Sequence, residues 1–199
     1  EQLEAWAAAG RLPVELVGGS PSYELDFDFL VLATGAMPAV AAPADAADAP
    51  VYSLDTLRHL ELRERLRELT AGVSAPGFRV TVVGAGASGV QYAFELAEAT
   101  RRLGLPDAVR VLEAGDRLLP HMPFRAHGYV LERMRAAGIE WVPGARFVDQ
   151  QGHRLRYRAS ANNADHEVDS HLTLLLAGVR GHPVTLPANR FGQVQVEGR

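Results

Sequence analysis

The chain has 199 residues, enough for one ordinary domain with appendages, and its 47% hydrophobic and 22% charged residues exclude a charge-dominated disordered chain. With 20 Lys and Arg against 24 Asp and Glu, the net charge of -4 leaves no electrostatic footprint for nucleic acid. The absence of cysteine excludes disulfides, thiolate metal sites and a redox-active dithiol within these residues. No apolar run approaches the roughly 20 residues of a spanning helix. The N-terminus lacks a signal-like pattern, so the expected location is the cytoplasm.

The chain starts at Glu1 rather than Met and reads as an excised or processed segment. EQLEAWAAAG suits a short helix closed by Gly10. Strands are expected at Val14 to Val17 and at Phe27 to Leu32; the second is a continuous apolar run of the kind covered on both faces. The Ala/Pro/Asp-rich stretch Ala39 to Pro50 has no periodicity and reads as a linker. From Ser53 the pattern turns helical, with Leu62, Leu66 and Leu69 on one face.

Arg79 to Val83 is a short β-branched strand, followed at once by glycines spaced G-x-G-x-x-G. After them Val90, Ala93, Phe94 and Ala97 form an apolar helical stripe running toward Gly104. Val109 to Leu112 is the next strand and carries Glu113 at its end. Phe124 to Ala137 is a second amphipathic helix, with Val130 and Met134 inward, stopped by Gly138 before a strand at Ile139 to Val142. Arg146 to Asp169 suits a small antiparallel excursion, and HLTLLLAG, ending at Gly178, is a last buried strand. The β-α-β-α-β order predicts an α/β fold: a Rossmann-like parallel sheet with helices on both faces.

The spacing of the glycines is weak evidence alone, but their context is specific. Gly84 follows the strand and supplies the turn, Gly86 leaves room for a pyrophosphate, and Gly89 lets the helix pack on the strand. The N–H groups of Ala87, Ser88 and Gly89 are orphan donors at a helix N-terminus, where the dipole also favours an anion. Glu113 stands where a ribose-binding acid belongs and would repel a 2′-phosphate, favouring NAD(H) over NADP(H). Arg117 is close enough in sequence to receive such a phosphate instead. Ser88 lacks the second glycine of a hydrolase elbow, and the seven histidines show no metal-ligand spacing; His121 and His127 read as surface or partly buried residues. The run His153 to Arg158 alternates like an exposed strand face.

DFDFLVLATGAMP, VTVVGAGASGVQYAFELAE, VRVLEAGDRLLP and LLLAGVRGHP, in this order, resemble the FAD-dependent pyridine nucleotide-disulfide oxidoreductases, most closely their NADH dehydrogenase branch. In that family an NAD-binding Rossmann domain is inserted into a FAD-binding domain, and Ala33-Thr34-Gly35 matches the connection between them. The resemblance implies flanks of the FAD domain at residues 1–45 and 179–199 around an NAD(H)-binding domain at 46–178. It adds Gln91, Ala177 and Gly178 to the dinucleotide contacts. The family's N-terminal glycine motif and its A-x-G-D are not in this chain, so FAD is expected in the intact protein only.

Where the NADH dehydrogenase branch often has a glutamate near the nicotinamide, this chain has Gln91, a residue flavin monooxygenases commonly tolerate. Low-molecular-weight thioredoxin reductases carry C-x-x-C in this domain, and none is present. The implied function is delivery of hydride from NADH to flavin and on to a quinone or similar small-molecule acceptor. The alternatives are a flavin monooxygenase-like protein and a non-catalytic dinucleotide sensor. The expected partners are the nicotinamide dinucleotide and the rest of the parent FAD domain, and the two flanks are expected to lie against each other or against a second copy of the chain. The intact protein is expected in the cytoplasm or peripheral to the inner face of the membrane.

Overall fold

The structure, a computed structural model, describes residues 8–14, 23–29, 31, 33, 35–39, 51–53, 62–71 and 77–181. The chain divides into two units, Glu1–Met37 with Arg180–Arg199, and Pro38–Val179.

In the first unit, Ala8 and Ala9 are helical and Gly10 turns with φ 65°, the left-handed geometry expected of a glycine that closes a helix. Strands β1 (Arg11–Val14) and β2 (Tyr23–Asp26) then pair antiparallel, Arg11 opposite Asp26 and Val14 opposite Tyr23. The Phe27 N–H donates to the Gly10 carbonyl at 2.9 Å and closes the pair. The first strand therefore lies earlier than Val14 to Val17, of which residues 15–17 fall outside the described set. The expected strand at Phe27 to Leu32 is not found at its described residues: Phe27, Asp28, Phe29 and Val31 are irregular, and Phe29 is 91% exposed. An apolar run becomes a buried strand only where neighbours pair with it, and no described strand does so here. Thr34 lies outside the described residues. β3 (Ala36–Pro38) and β12 (Val179–Gly181) form a further two-stranded sheet.

The second unit is an α/β domain around a five-stranded parallel sheet. Its strands are β4 (Val51–Ser53), β5 (Val80–Val83), β6 (Val109–Glu113), β7 (Glu140–Pro143) and β11 (Leu172–Leu175), in the spatial order β4-β11-β5-β6-β7. The β4 strand falls where only a linker and a helix start were expected; three residues are too few to display an alternation. The helices are α1 (Leu62–Thr70), α2 (Ala87–Arg102) and α3 (Phe124–Ala136).

The two faces of the sheet are covered differently. Val80, Val82, Val109, Val111, Leu172 and Leu174 belong to one cluster, which also takes Leu66 of α1, Ala93 and Leu96 of α2 and Met134 of α3. Their neighbours Val83, Leu112 and Leu175 point the other way, as strand alternation requires, into a cluster with Ala145 and Leu155. Ala145 and Leu155 come from β8 (Ala145–Gln151) and β9 (Arg154–Ala159), which with β10 (Asp165–Asp169) make a three-stranded antiparallel sheet. Helices on both faces were expected; among the described residues the three helices share one face and the antiparallel excursion covers the other.

A buried polar network fastens the layers. Thr173 Oγ1 donates to Gln150 Oε1 at 2.6 Å and lies 2.7 Å from Ser170 Oγ, while Gln150 Nε2 donates to the carbonyls of Gly152 and Ser170. Such satisfied buried groups fix β8 against β11 in one register. On the outer surface Arg154, Arg156 and Arg158 pair with Asp169, Asp149 and Asp165, as an exposed strand face with acidic neighbours does. The Arg158 guanidinium holds the Asp165 carboxyl below its ordinary range. Among the described residues no helix is long and apolar enough to cross a membrane, and no cluster of His, Asp and Glu could hold a metal ion.

Candidate dinucleotide-binding site

From β5 the chain proceeds through β6 to β7 on one side, then returns to place β11 on the other. The carboxyl ends of β5 and β11 are thus a topological switch point, where open parallel sheets leave a crevice for ligands. Gly84 stands at the end of β5 with φ 103°. A side chain there would overlap the Leu176 backbone and approach Ala177 Cα to 2.8 Å, so only glycine lets the turn pass the segment leaving β11. Gly89, buried in the first turn of α2, would drive a side chain into the Gly84 carbonyl. These two glycines close the loop on itself. Gly86 differs: its backbone is ordinary, φ -69° and ψ -176°, and a Cβ there would meet nothing within 4 Å. Its missing side chain leaves open space at the helix start.

Val90 is the first residue of α2 to return its N–H to the chain, donating to the Gly86 carbonyl at 3.0 Å. The N–H groups of Ala87, Ser88 and Gly89 precede that bond, and no side chain caps the helix. Ala87 and Ser88 are exposed. An anion at this place would meet several donors and the positive end of a 16-residue helix.

Glu113 ends β6 with both carboxylate oxygens engaged. Oε2 accepts from the Ala85 N–H at 2.7 Å and Oε1 from the Gly115 N–H at 2.9 Å. Gly115 is fixed in turn, because its carbonyl accepts from Gly144 N–H at 2.8 Å. A carboxylate has about four acceptor sites, so two such bonds orient Glu113 and leave capacity for two hydroxyls. The Ala85 carbonyl accepts from Leu119 N–H at 2.8 Å, so both backbone polar groups of Ala85 are held, one by the end of β6 and one by the segment after it. Arg117 is committed within that segment: Nη2 donates to the Met122 carbonyl at 2.9 Å, and the guanidinium lies 5.5 Å from the centre of the Phe124 ring.

The structure therefore groups Gly84, Gly86, Ala87, Ser88 and Gly89 with Glu113 on one side and Ala177 on the other. Gly178 follows with φ 93°, its carbonyl accepting from Ala39 N–H at 3.0 Å. Gln91 stands apart in its bonding: its amide donates to Glu95 Oε1 at 2.9 Å along the exposed side of α2. Ala85, Gly115 and Leu119 were not picked out from the sequence, because they act through backbone atoms that any residue carries. The only signal was their place between, or just after, residues that were.

A sequence profile of the pyridine nucleotide-disulphide oxidoreductases matches residues 7–198. The chain belongs to this family. No curated protein sequence matches it. Among solved structures it is similar to NDH2 from Plasmodium falciparum in complex with NADH, at 18% identity and a TM-score of 0.69 over 88% of this chain and 39% of that one. It is also similar to a NAD-dependent persulfide reductase from A. fulgidus, at 22% identity and a TM-score of 0.59 over 93% and 32%. A third is the water-forming NADH oxidase from Lactobacillus brevis bound to NADH, at 20% identity and a TM-score of 0.57 over 92% and 38%. These likenesses establish the pyridine nucleotide-disulphide oxidoreductase fold, and this chain spans two fifths or less of each of those chains.

Proposed function

We propose that the chain is the NADH-binding part of a FAD-dependent NAD(P)H oxidoreductase. The observation that carries this is the pairing of a glycine loop open at Gly86 with an acid, Glu113, bonded to that loop through Ala85. The pyrophosphate lies at the N–H groups of Ala87, Ser88 and Gly89. The adenosine ribose hydroxyls donate to the remaining acceptor sites of Glu113, which repels a 2′-phosphate, so NADH is the preferred coenzyme. Arg117 offers no counterweight while it is bonded to Met122 and stacked on Phe124. Ala177 and Gly178 line the nicotinamide side, which Gln91 joins only on release from Glu95.

Residues 46–178 form this domain, and residues 1–45 and 179–199 belong with the flavin-binding part of the intact protein. FAD, held by that part, would supply the hydride acceptor for a reaction ending at a quinone or similar small molecule. The residues assigned in this chain bind and orient the dinucleotide; none is assigned to the flavin. The intact protein works in the cytoplasm or on the inner face of the membrane. NADH is expected to bind the 199-residue chain with modest affinity, measured by calorimetry. The absence of both heat and a thermal shift at millimolar NADH would sink the reading.

A further inference from the structure

The segment between β6 and α3 contains a strained residue whose strain has a clear support. Leu119 has φ 51°, a left-handed backbone that a leucine rarely adopts. Such a conformation persists only where its surroundings over-determine it, and the surroundings here are four bonds. Leu118 N–H donates to His127 Nδ1 at 3.0 Å, and Leu119 N–H donates to the Ala85 carbonyl at 2.8 Å. Met122 N–H donates to the Leu119 carbonyl at 2.9 Å, and Arg117 Nη2 to the Met122 carbonyl at 2.9 Å. Three of the four bonds lie within the segment or join it to the glycine loop. The fourth, from Leu118 to His127 in the first turn of α3, ties it to a helix, as does the Arg117 guanidinium over the Phe124 ring.

We propose that His127 is a positioning residue for the adenosine end of the bound dinucleotide, acting through Leu118 and Leu119 on Ala85; this rests on the reading of the glycine loop as an NADH site. Leu118 is fully buried, so its N–H has left water and depends on the imidazole acceptor. Acceptance at Nδ1 places the ring proton on Nε2. Without that acceptor the segment relieves its buried N–H by rotating toward water. Leu119 then relaxes out of the left-handed region and releases the Ala85 carbonyl. Ala85 also donates to Glu113, so the ribose acid and the peptide next to Gly86 lose their common reference together. His127 touches no part of the dinucleotide in this account. Its effect is on how well the cradle is formed before the ligand arrives.

Three variants of the 199-residue chain separate positioning from plain stability. His127→Leu removes the acceptor. His127→Gln remains polar and helix-compatible but carries its oxygen one bond too far, whereas His127→Asn places an oxygen where Nδ1 was. Affinities for NADH and for ADP-ribose, which lacks the nicotinamide, are measured calorimetrically at a temperature where circular dichroism shows each variant folded. His127→Gln and His127→Leu are expected to bind both ligands about tenfold more weakly, and His127→Asn within about twofold of the unmodified chain. If His127→Leu does not fold, the Gln and Asn pair still decides. Equal affinity of the Gln variant and the unmodified chain, or a loss in the Asn variant as large as in the Gln variant, overturns the proposal. Failure of the unmodified chain to bind NADH would instead overturn the reading of the site itself.

Discussion

The Glu113 carboxylate and the Ala85 N–H meet at 2.7 Å, which joins the end of one strand to the turn after its neighbour. The acid proposed to discriminate between coenzymes and the loop proposed to hold the phosphates are in this way one unit. A change in the acid is therefore felt at the loop, beyond the loss of the ribose contacts proposed for it.

Glu113→Ala should weaken NADH binding by more than its ribose bonds alone account for, because Ala85 also loses its acceptor. Hydrogen bonds to a charged acceptor are worth about 1.5–3 kcal/mol each. Two such ribose bonds alone account for at least about a hundredfold in Kd, and the expected loss exceeds that. The gap between NADH and NADPH should narrow, as read by titrating both. A preference of the unmodified chain for NADPH would transfer the role to Arg117.

The glycines should part into two classes. Gly86→Val adds bulk to open space, so the variant should melt near the unmodified temperature and yet bind no NADH. Gly89→Ala meets the Gly84 carbonyl inside a buried turn and should lower the melting temperature or prevent folding. A Gly86→Val protein that binds NADH normally removes the pyrophosphate from this loop.

Thr173→Val should cost about 1–3 kcal/mol of stability, since it leaves Gln150 Oε1 without its buried donor, while Ser170 Oγ keeps the Leu172 carbonyl. Urea denaturation measures the loss. NADH affinity of the folded variant should be unchanged, because the network joins β8 to β11 and makes no bond with the glycine loop. An unchanged denaturation midpoint would mean that the network adds nothing to the native state.

Stability should also fall with acid through His171. Its ring stacks on His153 with 4.6 Å between centres, packs 5.2 Å from Phe78, and accepts the Arg79 N–H at Nδ1. Burial, and next the proximity of His153, push the His171 imidazole below its ordinary value, with Asp169 partly opposing. The unfolded chain therefore binds more protons at this residue, and its contribution is complete above about pH 6.5 and lost as pH falls toward and through the folded value. His171→Asn keeps an acceptor for Arg79 and cannot titrate. Between pH 8 and pH 5.5 its melting temperature should drop less than that of the unmodified chain. Parallel drops would remove His171 from the acid response.

The sequence was legible where side-chain pattern and backbone geometry coincide. The β-branched run at Val80 to Val83, the stripe from Val90 to Ala97 and the acid at Glu113 each did one thing only, and each is found where it was expected. Legibility failed where pairing rather than composition decides. Val51 to Ser53 becomes a strand because β11 lies beside it, and Phe27 to Val31, more apolar, is irregular at its described residues. The antiparallel layer was anticipated but its place over the sheet was not, since Leu155 and Ala145 look like any strand residues until Leu112 and Leu175 are seen against them. The turn at the glycines and the place of Glu113 at the end of β6 could be read, whereas the bonds through Ala85, Gly115 and Leu119 could not. Those bonds use main-chain groups that every residue carries, so nothing in the residue types announces them.

The turn from β9 to β10 runs over Ser160 to Ala164, with residues 160–163 exposed and its base closed by Ala159 N–H on the Ala164 carbonyl at 2.9 Å. The hairpin it caps hangs between β7 and β11 without adding a strand to the parallel sheet. Foreign sequence grafted between Ala161 and Asn162 would lengthen a surface tip and leave the strand order intact. Below that tip, Ser160 N–H bonds to the Gly144 carbonyl, and Gly144 N–H to Gly115, next in line to Glu113. A fluorescent protein inserted there would be connected through the main chain of Ser160, Gly144 and Gly115 to the Glu113 carboxylate, which makes this turn an attachment point for a reporter of whatever the proposed site binds.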